Sequence, residues 1–147
     1  MATIKSYTDL EQSKVLVKIL PLESADGFWE YHDKWRSEGD EWEGYEDYPK
    51  AEPYLEYTRK DNEWKEDKTD VPCWSLASLL GVLPVIIGDI FSKNALRLRM
   101  DKSERDFNVW YINIDSGMVE EGLDIIKSNP VDTCYEMILK LYDLNLL

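Results

Sequence analysis

Ala95-Leu-Arg-Leu-Arg-Met100 and Phe107-Asn-Val-Trp-Tyr-Ile-Asn-Ile114, joined by the polar turn 101–106, decide the fold class. In the first arm Leu96, Leu98 and Met100 alternate with Arg97 and Arg99. That period of two places one side of an extended chain on a core and the other in water. The second arm is β-branched and aromatic, so the pair predicts an antiparallel hairpin. Asp115, Ser116 and Gly117 supply a second turn, after which Met118 to Lys127 returns as a third strand despite Gly122. Downstream, Asn129 is an N-cap residue and Pro130 suits the first helical position. Val131, Cys134, Tyr135, Ile138, Leu141 and Tyr142 then form one apolar stripe, which predicts a C-terminal amphipathic helix.

Two further helices are expected upstream. Thr8 followed by Glu11 reads as a capping box, and Leu10, Leu16, Val17 and Leu20 recur at helical spacing until Pro21, predicting a helix over 9–20. From Cys73 to Leu83 almost every residue is apolar, with Pro72 before and Pro84 after. Such a segment is too short to cross a bilayer and is expected to be a helix buried at the centre of the core. The simplest solution that buries all these faces is α+β, an antiparallel meander of about three strands or more packed on three helices. At 147 residues the chain is expected to form a single domain, 1–147.

Between Glu23 and Asp70 neither period persists, and Gly27, Gly39, Gly44, Pro49 and Pro53 punctuate the chain, so long loops with short elements are expected. Trp29 to Trp35 suits a short helix and Pro53 to Thr58 a strand. This segment carries 17 Asp and Glu against 7 Lys and Arg, so it holds most of the net charge of −13. Like-charge repulsion among Asp40, Glu41, Glu43, Glu46 and Asp47 makes 39–47 the part expected to resist compaction. The segment also holds ten of the eighteen aromatic residues.

The same composition excludes several chemistries. Nucleic-acid phosphates and anionic membranes require clustered Lys and Arg, so neither is an expected partner. One His and two distant cysteines cannot build a zinc site, and Cys73 and Cys134, each in apolar company, are expected to be free buried thiols in a cytoplasmic protein. The seven glycines are dispersed, with no phosphate loop or dinucleotide fingerprint among them, and 40–47 does not match a calcium loop. No cofactor, no metal ligand and no catalytic residue is therefore assigned. His32 beside Asp33 has the composition of a general base with its orienting acid, against the plainer reading of a solvated loop histidine. Glu63-Trp-Lys65 resembles, weakly, the acid-x-lysine element of metal-dependent nucleases.

Asp9-Leu-Glu-Gln-Ser-Lys14, Ile19-Leu-Pro-Leu-Glu-Ser-Ala-Asp26, Val71-Pro-Cys-Trp-Ser-Leu-Ala77 with Leu83-Pro84, and Asn129-Pro-Val-Asp-Thr-Cys-Tyr-Glu-Met-Ile138 with Leu144-Asn-Leu-Leu147 are family-like blocks. They resemble small uncharacterised proteins of gut Bacteroides-type bacteria and of their phages and mobile elements. The resemblance implies a folded, cytoplasmic unit of possible phage derivation and carries across no catalytic residue. The acidic segment and the hairpin turn lie outside the matching blocks.

What remains is the interleaving of acids with rings. Trp and Tyr supply binding area at low entropic cost, and flanking carboxylates select a basic partner. The leading expectation is a non-enzymatic interaction domain that takes a basic protein segment on Trp35, Asp40, Glu41, Trp42, Glu43, Tyr45, Glu46, Asp47, Tyr48 and Trp64. Against it stands the reading that the rings fold back as a satellite core while the acids stay solvated. The alternatives are a small hydrolase or nuclease using carboxylates and a divalent cation, with Glu63, Lys65 and His32 as participants, and a phage-type inhibitor or DNA mimic whose carboxylates imitate phosphates.

Overall fold

Asp9 caps the first helix. A computed structural model describes residues 5–37, 40–54 and 70–147. These form two compact units, one spanning Tyr7–Ser78 and the other Leu79–Leu147 with the N-terminal residues through Ser6. The class is α+β, with three α-helices and antiparallel sheets among the described residues. No helix among the described residues is long and apolar enough to cross a membrane.

In the unit Tyr7–Ser78, helix α1 runs Leu10–Leu16. The capping box lies one residue later at its first position than the Thr8 and Glu11 pairing predicts. The Asp9 carboxylate accepts from the Gln12 amide at 2.8 Å, and the Gln12 side chain accepts from the Asp9 amide at 3.1 Å. Thr8 is committed elsewhere. It is fully buried, its Oγ1 lies 2.8 Å from Ser13 Oγ and accepts the Trp74 amide at 3.2 Å, while its own amide donates to the Trp74 carbonyl. The helix also stops short of Leu20. Lys18 and Ile19 donate three residues back, the tighter bonding that ends a helix.

Strand β1, Gly27–Trp29, pairs antiparallel with β4, Val71–Cys73, so that Gly27 faces Cys73 and Phe28 faces Pro72. On its other side Phe28 exchanges two backbone hydrogen bonds with Lys50, at 2.9 and 2.8 Å. Around this short ladder Leu16, Phe28, Tyr54, Val71, Cys73 and Trp74 are all buried, with Phe28 and Tyr54 meeting edge to face at 6.4 Å. Part of the acidic segment's ring content is therefore core. The indole of Trp74 donates to Ser24 Oγ at 2.8 Å.

The helix expected at 29–35 is absent. Strand β2, Tyr31–Ser37, instead pairs antiparallel with β3, Asp40–Tyr45. Pairing across the ladder decides for a strand: Tyr31 stands opposite Tyr45 and Trp35 opposite Trp42, and aromatic residues favour strands. The acid-rich 40–45, where like-charge repulsion is expected to resist compaction, pairs in this ladder as one of the short elements expected of the segment. Of the strand expected at 53–58, residues 55–58 lie outside the described residues, as do Glu63, Trp64 and Lys65.

Helix α2, Leu76–Val82, is shorter and less buried than predicted. Of its seven residues only Leu79 is fully buried, while Ala77 and Gly81 are exposed. The apolar run is not one helix, because its start at Cys73 belongs to β4. The residues that bury themselves are Val71, Cys73 and Trp74 before the helix and Leu83 after it.

In the second unit the expected meander is present and gains a strand. The order is β5 (Ile86–Ile87), β6 (Leu96–Lys102), β7 (Phe107–Asn113) and β8 (Val119–Lys127), all antiparallel neighbours. Gly122, at φ +81, sits in the bulge that shifts the β7–β8 register, which is how a third strand accommodates a glycine. Helix α3, Pro130–Asp143, packs on β7 and β8, capped by Asn129 Oδ1 on the Val131 amide at 2.9 Å. Val109, Tyr111, Leu123, Val131, Cys134, Met137, Ile138 and Leu141 are buried, and the Tyr111 hydroxyl donates to the Pro84 carbonyl. Both cysteines are free and buried, and burial pushes the Cys134 thiol up to about 12 and Cys73 higher still.

Candidate functional site

Three backbone features bring charged side chains together at the mouth of the β2–β3 hairpin. Glu30 and His32 are two residues apart on an extended chain, so they share a side. The backbone bridge to Phe28 places Lys50 next to that pair. The Glu46 amide donates to the Glu30 carbonyl at 3.2 Å, which folds the chain after β3 back toward the start of β2.

The result is a compact ionic group. His32 Nε2 lies 2.9 Å from Glu46 Oε1 and 3.6 Å from Glu30 Oε2, and Glu30 Oε2 also touches the Lys50 ammonium. Glu30 Oε2 is buried and makes no directed hydrogen bond, so ion pairing with Lys50 compensates its desolvation. Asp70 stands alongside, its Oδ1 accepting the Tyr31 amide at 2.8 Å. Burial raises the Asp70 carboxyl above its ordinary value, and the Glu30 charge adds to this. The Tyr31 amide, His32 and Lys50 work in the opposite direction.

Gly44 lies beside the ring of Trp42. It pairs in register with His32 at φ +146, a conformation reserved for glycine, and a Cβ there would meet the Trp42 indole at 3.4 Å. The indole therefore fills the space beside Gly44 and comes within 6.0 Å of the His32 ring, at 38° between planes. Together His32, Trp42, Glu46, Asp47 and Tyr48 line an open cleft of about 410 Å³. Trp42 is 39% and Tyr48 81% exposed, whereas the His32 side chain is 20% exposed.

Of the residues the sequence pointed to, Trp42, Glu46, Asp47 and Tyr48 meet in this cleft. Glu43 and Tyr45 do not. Alternation along β3 puts them with Tyr31, whose hydroxyl donates to Glu43 and whose ring meets Tyr45 edge to face at 5.0 Å. Lys14 Nζ lies 5.7 Å above the Tyr45 ring, and burial, with Asp70 nearby, raises the Tyr45 phenol. Trp35, Asp40 and Glu41 take ladder positions opposite Trp42, Ser37 and Arg36. Trp64 lies outside the described residues.

His32 has a plainer reading in the sequence than in the structure, and no motif marks Glu30, Lys50 or Asp70 for the group they join. The Glu30–His32 spacing was the available signal once 31–37 is seen as a strand. Lys50 and Asp70 depend on long-range pairing that no local pattern announces. Glu30, His32 and Glu46 also bring one donor atom each within 4.8 Å of one another, so they are the described residues that could hold a metal ion. Comparison with protein-family models, with curated proteins and with solved structures finds no match.

Proposed function

We propose that this protein is a non-enzymatic binding module whose β2–β3 cleft takes a basic segment of a partner protein. One observation carries the reading: exposed rings of Trp42 and Tyr48 and the carboxylates of Glu46 and Asp47 line the same solvent-open cleft. Ring faces attract cations through their quadrupole, and carboxylates add charge and directed acceptors, so the pair selects a cation over a neutral ligand. The net charge of −13 would speed the encounter with a basic partner and make it sensitive to ionic strength. The test is capture from source cells at low and high salt, followed by titration of each captured protein's basic segments into the pure chain. Binding that weakens steeply with salt supports the reading. Recovery only of partners whose binding ignores salt counts against it.

A second reading has its own observation, the convergence of Glu30, His32 and Glu46 donor atoms within 4.8 Å. A divalent cation held there could activate a water for hydrolysis, the role carboxylate-bound metals play in hydrolases and nucleases. It would have to displace the Lys50 ammonium from Glu30 and the His32 ring from Glu46. Titration with Mn²⁺ or Zn²⁺ alone tests it: micromolar binding lost in His32→Asn favours this reading, and absence of binding removes it.

A further inference from the structure

We infer that the cleft is a socket for one arginine side chain of the partner, with lysine a poorer occupant; this rests on the reading of the cleft as a site for a basic segment. Some charges in the group are already neutralised. Glu30 is held by Lys50 and lies deep, with its side chain 17% exposed. Glu46 spends Oε1 on His32 but is 40% exposed, and Asp47 is exposed with no ion-pair partner among the described residues. The negative charge without a lysine or arginine partner among the described residues is thus at the mouth, on the consecutive Glu46 and Asp47, beside two exposed rings.

Guanidinium and ammonium would use these groups differently. A guanidinium is planar, weakly hydrated and carries a fork of donors, so it can lie against an indole or phenol face while donating to carboxylates at its edge. An ammonium is a compact, strongly hydrated point charge that can satisfy the acids but gains less from the rings. The Trp42 indole lies beside Gly44 and 6.0 Å from the His32 ring, neighbours that restrict it before binding, and a restricted surface spares part of the ordering cost. The volume, about 410 Å³, is at the lower end of ligand clefts, suited to one long side chain with its flanking backbone and too small for a folded element.

The test uses the full chain and three lysine-rich pentapeptides that differ only at the central residue: arginine, lysine or citrulline. Citrulline keeps the shape of arginine and removes its charge. Affinity is read by calorimetry, with free arginine amide as competitor. The expected order is arginine about five-fold or more tighter than lysine, and citrulline weaker than both. Trp42→Leu, or Trp42→Phe should the first variant unfold, narrows the arginine preference while salt-dependent binding of all three peptides persists, and Asp47→Asn weakens the charged peptides. Equal binding of the arginine and lysine peptides overturns the socket and leaves the basic-partner reading standing. Failure of every peptide to bind in a salt-dependent way overturns both. Free arginine amide that binds as tightly as the peptide would show a small-molecule site and overturn the protein source of the side chain.

Discussion

Adding one methyl group at Gly27 should loosen the core of the unit Tyr7–Ser78 and the ionic group attached to it together. An ideal Cβ there would lie 2.7 Å from the Lys50 carbonyl oxygen, 2.9 Å from Cys73 Sγ and 2.9 Å from the Tyr7 ring. All three are closer than non-bonded carbon tolerates, and the nearest is backbone, so the β1 ladder must shift. Overpacking of this kind costs about 1–3 kcal/mol. Gly27 does not occupy a positive φ, so alanine meets no conformational penalty and recovers about 0.4–1 kcal/mol by restricting the unfolded chain. The net for Gly27→Ala is a loss of about 1–2 kcal/mol. With a urea slope of about 1–3 kcal/mol per molar, the midpoint should fall by roughly 1 M, read by tryptophan fluorescence. A local readout accompanies it: Cys73, beside the new methyl, should react faster with a thiol reagent, while Cys134 in the other unit should not change. A variant as stable as the parent, or one in which both thiols open equally, would refute the assignment of Gly27 to a close backbone approach.

Three other expectations are simpler. Asn129→Ala removes the cap from α3 and should cost about 1 kcal/mol, measurable as a lower thermal midpoint, whereas Asn129→Asp should retain most of it. The raised Asp70 carboxyl means the folded state binds that proton more tightly than the unfolded chain, so its contribution favours folding at low pH and is lost as pH rises through the folded value. Asp70→Asn keeps an acceptor for the Tyr31 amide and should therefore match or exceed the parent's stability at pH 7, with the difference closing toward pH 4; a clear loss at pH 7 would reverse the sign argued for this carboxyl. Both thiols, raised by burial, should resist a disulfide reagent at pH 8 in the folded chain and react fully in concentrated urea.

The legible parts of this chain were those where one local period coincided with one burial pattern. Strand β7 is buried on alternate residues, Phe107, Val109 and Tyr111, while β6 keeps the alternation in sequence but buries only Leu96, and α3 carries its cap, its Pro130 and its stripe within fifteen residues. The misread parts are those where local and long-range demands conflict. Thr8 has the chemistry of a cap, but pairing with Trp74 claims its side chain and hands the cap to Asp9. The run Cys73 to Leu83 has the hydrophobicity of a buried helix, yet its bulkiest residue, Trp74, is buried before the helix begins. The candidate site shows the same division. Acids and rings were visible as composition, but which of them meet depends on β-strand parity, and that separates Trp42 from Glu43 and Tyr45.

Lys50 joins two roles that are usually separate. Its backbone completes the ladder on Phe28, at the centre of the core, while its ammonium neutralises Glu30 behind the cleft. The back of the cleft is therefore fixed to the frame with the tolerance of the core, and its front, at Asp47 and Tyr48, is surface. Such a layout behaves like a lock whose cylinder is cast with the door and whose pins can be exchanged. Substitutions at the exposed Asp47 and Tyr48 can retune which cation is accepted without disturbing folding, so new specificities should be reachable by changing those two positions alone.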